Sequence, residues 1–119
     1  MMEIQRFGTT GRFSDAVAWN GLLHLVEVPA QDTGDIEDQT RSLLASLAAQ
    51  LESAGSGKDR LLMVTVYLVN MADYAGMNAV WESWLPPGAA PSRACVQVAR
   101  LARSGWRVEM AVVAAGRVA

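Results

Sequence analysis

The chain is poor in the residues that carry most cofactor chemistry. It has one cysteine and one histidine among 119 residues. A lone cysteine excludes an internal disulfide, and metal centres need several His, Cys or carboxylate ligands at workable spacing. No metal and no cofactor are therefore expected. The stretch "GSGKD" (55–59) is not a phosphate loop: it follows a helix, lacks the earlier glycine, and has Asp59 where Ser or Thr is needed. It reads as a helix-ending turn. No apolar run approaches the roughly 20 residues that span a bilayer. The opening "MMEIQRFGTTGRF" lacks the pattern of a signal peptide, so a cytoplasmic protein is expected. Charge is scarce as well. Charged residues make up 18%, the net charge is −2 and the pI is near 5.3. That balance argues against nucleic acid or an anionic membrane as partner.

What is abundant is hydrophobicity. It reaches 51%, which is rich for one small domain (1–119) and points to surface buried in an assembly. "EIQRFG" (3–8) is a weak strand. "SDAVAW" (14–19), Asn20-Gly21 and "LLHLVEV" (22–28) form a hairpin on a type I′ turn. A helix starts near Asp35, which can cap it, with Glu37 and Asp38 at the positive end of its dipole. Ile36, Leu43, Leu44, Leu47 and Leu51 make its apolar stripe. "RLLMVTVYLV" (60–69) is apolar on both faces and reads as a central strand. A second helix runs from about Met71 to Leu85 and ends at "PPGAAP". A strand from Ser92 to Arg100 and an apolar run ending at Ala115 read as a closing hairpin. Two helices can cover one face of such a sheet. Neither face of the central strand looks solvated, so the other face is expected to pack against copies of the same chain.

The closing strands hold the candidate chemistry. Arg93, Cys95 and Gln97 share one strand face. A half-buried arginine needs an anion; composition alone favours an ion pair with a protein carboxylate, Glu109 included. Cys95 by itself reads as a small core residue. Nothing ties it to His24, which alternates with apolar neighbours and is expected to be packed. Glu109 sits among apolar residues, where burial raises a carboxyl pKa and a nearby Arg93 lowers it. Asn78 falls on the apolar stripe of the second helix with Tyr74, Met77, Trp81 and Leu85. A polar amide there is either a structural bond or a ligand contact. Trp81 and Trp84 read as core or interface aromatics.

The ordered set Tyr74-x-x-x-Asn78-x-x-Trp81-x-x-Trp84, the proline-rich loop, "P-x-R-A-C-V" (91–96), "ARL" and "VE-x-x-x-x-A" resembles the Rid family, the YjgF-type reactive intermediate deaminases. "NGLLHLVEV", "QTRSLLASLAAQLESAGSGKDRLL" and "MNAVWESW" are similar to its YoaB-like branch. The resemblance runs from Arg12 to Ala115. It implies an α+β, chorismate-mutase-like fold: a single sheet with two helices packed on one face, assembled as a homotrimer with clefts between subunits. It implies hydrolysis of reactive 2-imino and 2-aminoacrylate-type acids to 2-keto acids and ammonia. By position, Arg93 matches the residue that holds the substrate carboxylate, and Glu109 the acid that handles the attacking water. Cys95 and Asn78 match cleft-lining residues; Phe13, Val26 and Trp81 are further candidates for substrate contact.

Two departures bear on function. Phe13 stands where archetypal members have a tyrosine. "Val26-Glu27-Val28" replaces a small glycine-containing segment, which makes Glu27 a candidate second carboxylate of the cleft, or else an edge-strand charge facing water. Trp106 also enlarges the loop beside Glu109. Three functions follow: an imine/enamine deaminase; a Rid-fold enzyme diverted to another reaction in a biosynthetic pathway; or a non-catalytic trimer that binds a carboxylate metabolite.

Overall fold

The computed structural model describes residues 3–116. β1 (Gln5–Phe7), β2 (Ala16–Trp19) and β3 (Leu22–Glu27) precede α1 (Ile36–Ser53). β4 (Leu61–Leu68), α2 (Tyr74–Trp84), β5 (Ser92–Gln97) and β6 (Val108–Ala115) follow. All six strands form one sheet in the order β1-β2-β3-β6-β4-β5.

Local chemistry explains the turns and caps. Asn20 and Gly21 both have positive φ, at 54° and 77°, as the β2–β3 type I′ turn requires. The Asp35 side chain accepts a hydrogen bond from Asp38 N at 2.8 Å and caps α1. Gly55 takes the left-handed backbone, φ 80°, just past the end of α1. Gly76 lies so close to Ile36 and Glu37 that a Cβ there would collide with them, so the missing side chain lets α2 sit against the start of α1.

The two helices lie on one face of the sheet. Leu43, Leu47 and Leu51 of α1 and Met77 of α2 are fully buried with Val64, Val66, Leu68, Val108 and Met110. Burying one aliphatic side chain of this kind stabilises by about 1.5–3 kcal/mol. A bulge at Leu62 shifts the register between Leu61 and Met63, leaving Leu61 buried and Leu62 exposed. Among the described residues no layer covers the outer face: Val26 is 52% and Val96 42% exposed.

The closing hairpin does not form. β5 pairs in parallel with β4, while β6 lies antiparallel between β3 and β4. β4, α2 and β5 thus make a βαβ unit that places β5 at the sheet edge. The chain must then cross β4 to begin β6, which a two- to five-residue hairpin loop cannot do. The crossing loop is pinned by Gln39, wholly buried on α1. Its amide nitrogen donates to Gly105 O at 2.9 Å and its oxygen accepts from Arg107 N at 2.8 Å.

Candidate functional site

Strand register decides which candidates can meet. Arg93 pairs with Val64 and Cys95 with Val66 on β4; Val64 and Val66 are fully buried beneath the helices. Arg93 and Cys95 therefore stand on the helix face, at the β5 edge. Glu109 pairs with Tyr67, on the opposite face. The expected Arg93–Glu109 ion pair is excluded within one chain.

Arg93 is held from behind. Its Nη1 donates to Asn78 Oδ1 at 2.8 Å and reaches Met77 Sδ at 3.9 Å. The guanidinium carbon lies 5.5 Å from the Trp81 ring and 5.8 Å from the Tyr74 ring, within cation–π range. Asn78 and Tyr74 are four residues apart and so face the same way on α2. Among the described residues, no carboxylate forms an ion pair with Arg93. Its guanidinium borders an open hollow of ≈ 500 Å³ between α2 and the proline-rich loop, lined also by Trp81, Leu85, Pro86 and Pro91. Trp81 is only 5% exposed, so it serves mainly as the floor beneath Arg93. Cys95 packs against the core. Burial pushes its thiol pKa up, and the charge on Arg93 only partly opposes that; the thiol stays protonated and is a poor nucleophile.

The outer face holds a second group. Glu109 is half-buried there, and desolvation raises its pKa. Val26 pairs with Ala111, two residues from Glu109 along β6, so the two side chains are diagonal neighbours on one face. Val26 also lines a hollow of ≈ 310 Å³ with Ser14, Val17, His24, Met63, Ala111 and Val113. His24 is exposed on this face rather than packed: the period-2 alternation turns Leu23 and Leu25 inward and His24 outward. Phe13 is 61% exposed, on the loop between β1 and β2. Phe13 and Val26 belong to the half of the sheet remote from β5.

Glu27 belongs to neither group, and both sequence readings of it are corrected. It is the last residue of β3, an interior strand, and is 3% exposed. It pairs with Met110, which pairs with Val66, which pairs with Cys95. Three strand spacings, about 14 Å, separate it from the β5 edge. Its side chain enters the core under α1, where Oε1 accepts a hydrogen bond from Ser46 Oγ at 2.8 Å. Its Oε2 is buried without a hydrogen-bond partner among the described residues. Burial lifts its pKa from an ordinary 4.5 to about 7, the Ser46 bond lowers it, and the charge on Asp15 adds to the rise. Inward placement follows from period: position 27 falls in phase with Leu23 and Leu25.

Among the described residues, no group of His, Cys, Asp and Glu could hold a metal ion, and no helix is long and apolar enough to cross a membrane. Sequence reading gave no ligand role to Tyr74, which it placed on an apolar stripe and in the motif with Asn78, and it missed Gln39. The one signal for Tyr74 was its spacing from Asn78.

A six-stranded mixed sheet with two helices on one face and an uncommitted arginine at its edge defines the class to which the chain belongs. Residues 3–116 match the family model described as Endoribonuclease L-PSP. A RutC family protein of Haemophilus ducreyi is 41% identical over 113 residues, 94% of this chain and 96% of the relative. The RutC family protein YoaB of Escherichia coli is 39% identical, covering 96% and 99%. A crystal structure of a YjgF family member from Neisseria meningitidis superposes with a TM-score of 0.94 at 44% identity, over 99% of this chain and 98% of that one. The protein is a member of the L-PSP/YjgF (Rid) family.

Proposed function

We propose that the protein is an imine/enamine deaminase that hydrolyses reactive 2-imino acids and their 2-aminoacrylate tautomers to 2-keto acids and ammonia. The observation that carries this reading is Arg93. A guanidinium oriented by Asn78, over the Trp81 ring, without a carboxylate partner among the described residues and open to a hollow can take an anion from outside. A planar carboxylate suits its two-point geometry.

The reaction then needs one water and one proton carrier. Water adds to the electrophilic imine carbon and gives up a proton to Glu109. The carboxyl returns that proton to nitrogen, which gives a carbinolamine. The same carboxylate then carries the hydroxyl proton to nitrogen, the carbon–nitrogen bond breaks as the C=O bond forms, and ammonia leaves the 2-keto acid. A carboxylate whose pKa is raised by desolvation is a better base than an exposed one. Cys95 is not part of the hollow's lining; it packs against the core as a neutral thiol, one pleat from Arg93.

Arg93 and Glu109 occupy opposite faces, so this reading places Glu109, Val26 and Phe13 of one subunit against the Arg93 edge of another. A homotrimer of single-domain subunits with clefts between them meets that need, and it covers the apolar outer face. The burial of Glu27 removes the main argument for a cleft diverted to other chemistry. The net charge of −2 gives no support to RNA cleavage.

The test generates 2-aminoacrylate with a serine or cysteine lyase and follows loss of the imine on adding the protein. Acceleration abolished by Arg93→Ala supports the reading. Unchanged decay with wild-type protein would sink it; binding of 2-keto acids without turnover would instead indicate a metabolite-binding protein.

A further inference from the structure

The back of the Arg93 guanidinium is fixed, and its front is not. Nη1 is engaged by Asn78 and Met77, and Trp81 lies against it, nearly buried. Nη2 points to the Tyr74 hydroxyl at 3.4 Å. Tyr74 opens α2 and is 42% exposed at the mouth of the hollow. In the Arg93–Tyr74 contact the guanidinium donates and the phenol oxygen accepts. The phenol's own O–H is left over, beside the position an incoming anion must take. Glu82 also lines the hollow, but a carboxylate repels an anion rather than binding it.

We infer that Tyr74 is a ligand-binding residue: its hydroxyl donates a further hydrogen bond to the carboxylate held by Arg93, and its ring walls the mouth of the hollow. The inference rests on the reading that Arg93 binds a substrate carboxylate. It makes the anion site a clamp of one charged and one neutral donor. The neutral donor is oriented by the same guanidinium whose ligand it shares.

The test is Tyr74→Phe, which keeps the ring and removes the hydroxyl. Calorimetry measures binding of 2-oxobutanoate, a stable 2-keto acid, and steady-state kinetics follow imine hydrolysis. A lost bond to a charged group predicts about tenfold weaker binding and about tenfold higher KM, with kcat nearly unchanged. The melting temperature should hold, because Tyr74 is exposed. Tyr74→Ala should be weaker still. A Tyr74→Phe protein that binds and reacts like wild type would overturn the inference while leaving Arg93 in place. Wild-type protein that neither binds 2-oxobutanoate nor responds to Arg93→Ala would overturn both this inference and the deaminase reading.

Discussion

Arg93 and Glu109 stand on opposite faces of one sheet, with β4 between their strands. Arg93 is in phase with Val64, under the helices; Glu109 is in phase with Tyr67, on the open face. A sheet has no path through it, so no side-chain rotation brings the two together. If they serve one reaction, they serve it from two chains.

Arg93 is irreplaceable on this account. Arg93→Lys keeps a charge but loses the planar fork and the stacking on Trp81. We expect kcat/KM on 2-iminopropionate to fall at least about 100-fold for Lys, and further for Ala. Retention of activity in the lysine variant would show that charge alone suffices.

Asn78 should act through Arg93. Its Oδ1 holds Nη1 at 2.8 Å. Asn78→Ala frees the guanidinium to swing, and we expect KM to rise about tenfold with a smaller loss of kcat. Asn78→Asp pairs the arginine internally and should abolish 2-keto acid binding, as calorimetry can show.

Glu27 makes stability fall as pH rises. Its folded pKa, about 7, lies above the ordinary 4.5, so the folded state holds the proton more tightly than the unfolded one. Below pH 4.5 both states are protonated and no penalty applies. Between 4.5 and 7 the unfolded chain ionises first, and stability is lost; above 7 the loss is complete. Allowing for residual solvent screening, it amounts to about 1–2 kcal/mol. Glu27→Gln should flatten this part of the melting-temperature profile and stabilise the protein at pH 8. Ser46→Ala, which strips the one hydrogen bond to the carboxyl among the described residues, should destabilise at every pH. A Glu27→Gln profile that keeps the wild-type slope would assign the pH dependence elsewhere.

The open face should be an interface. Val26 is 52% exposed beside Met63, Ala111 and Val113, in a chain whose outer face has no other cover. On the proposed trimeric assembly, the wild-type protein should scatter light as a trimer and Val26→Lys should lower that mass to a monomer's, with the fold kept. A variant that stays assembled would move the interface to another surface.

Much of this was legible from residue pattern. Asn20-Gly21 announces its turn, Asp35 its cap, and the alternation in β4 its central place. The pairing of β5 was not legible. Strand periodicity says which side chains share a face, but not which strand lies alongside, and a polar loop of hairpin character concealed a crossing. Glu27 was misread for a related reason. Charge suggested solvent or cleft, while its phase with Leu23 and Leu25 had already turned it inward. Arg93, Cys95 and Asn78 became candidates because each was polar or reactive on an otherwise apolar face. Tyr74 headed the motif but was given no role, because a tyrosine on an apolar stripe looks like packing.

The most direct test of the two-chain site is to mix Arg93→Ala and Glu109→Gln proteins, each of which the account expects to be inactive alone. They are unfolded together, refolded as a mixture, and assayed for 2-iminopropionate hydrolysis. A site built from Arg93 of one subunit and Glu109 of its neighbour is intact at about one interface in four after random assembly. The account therefore predicts activity near a quarter of wild type. No activity in the mixture, with mixed oligomers verified by native mass spectrometry, would contradict it.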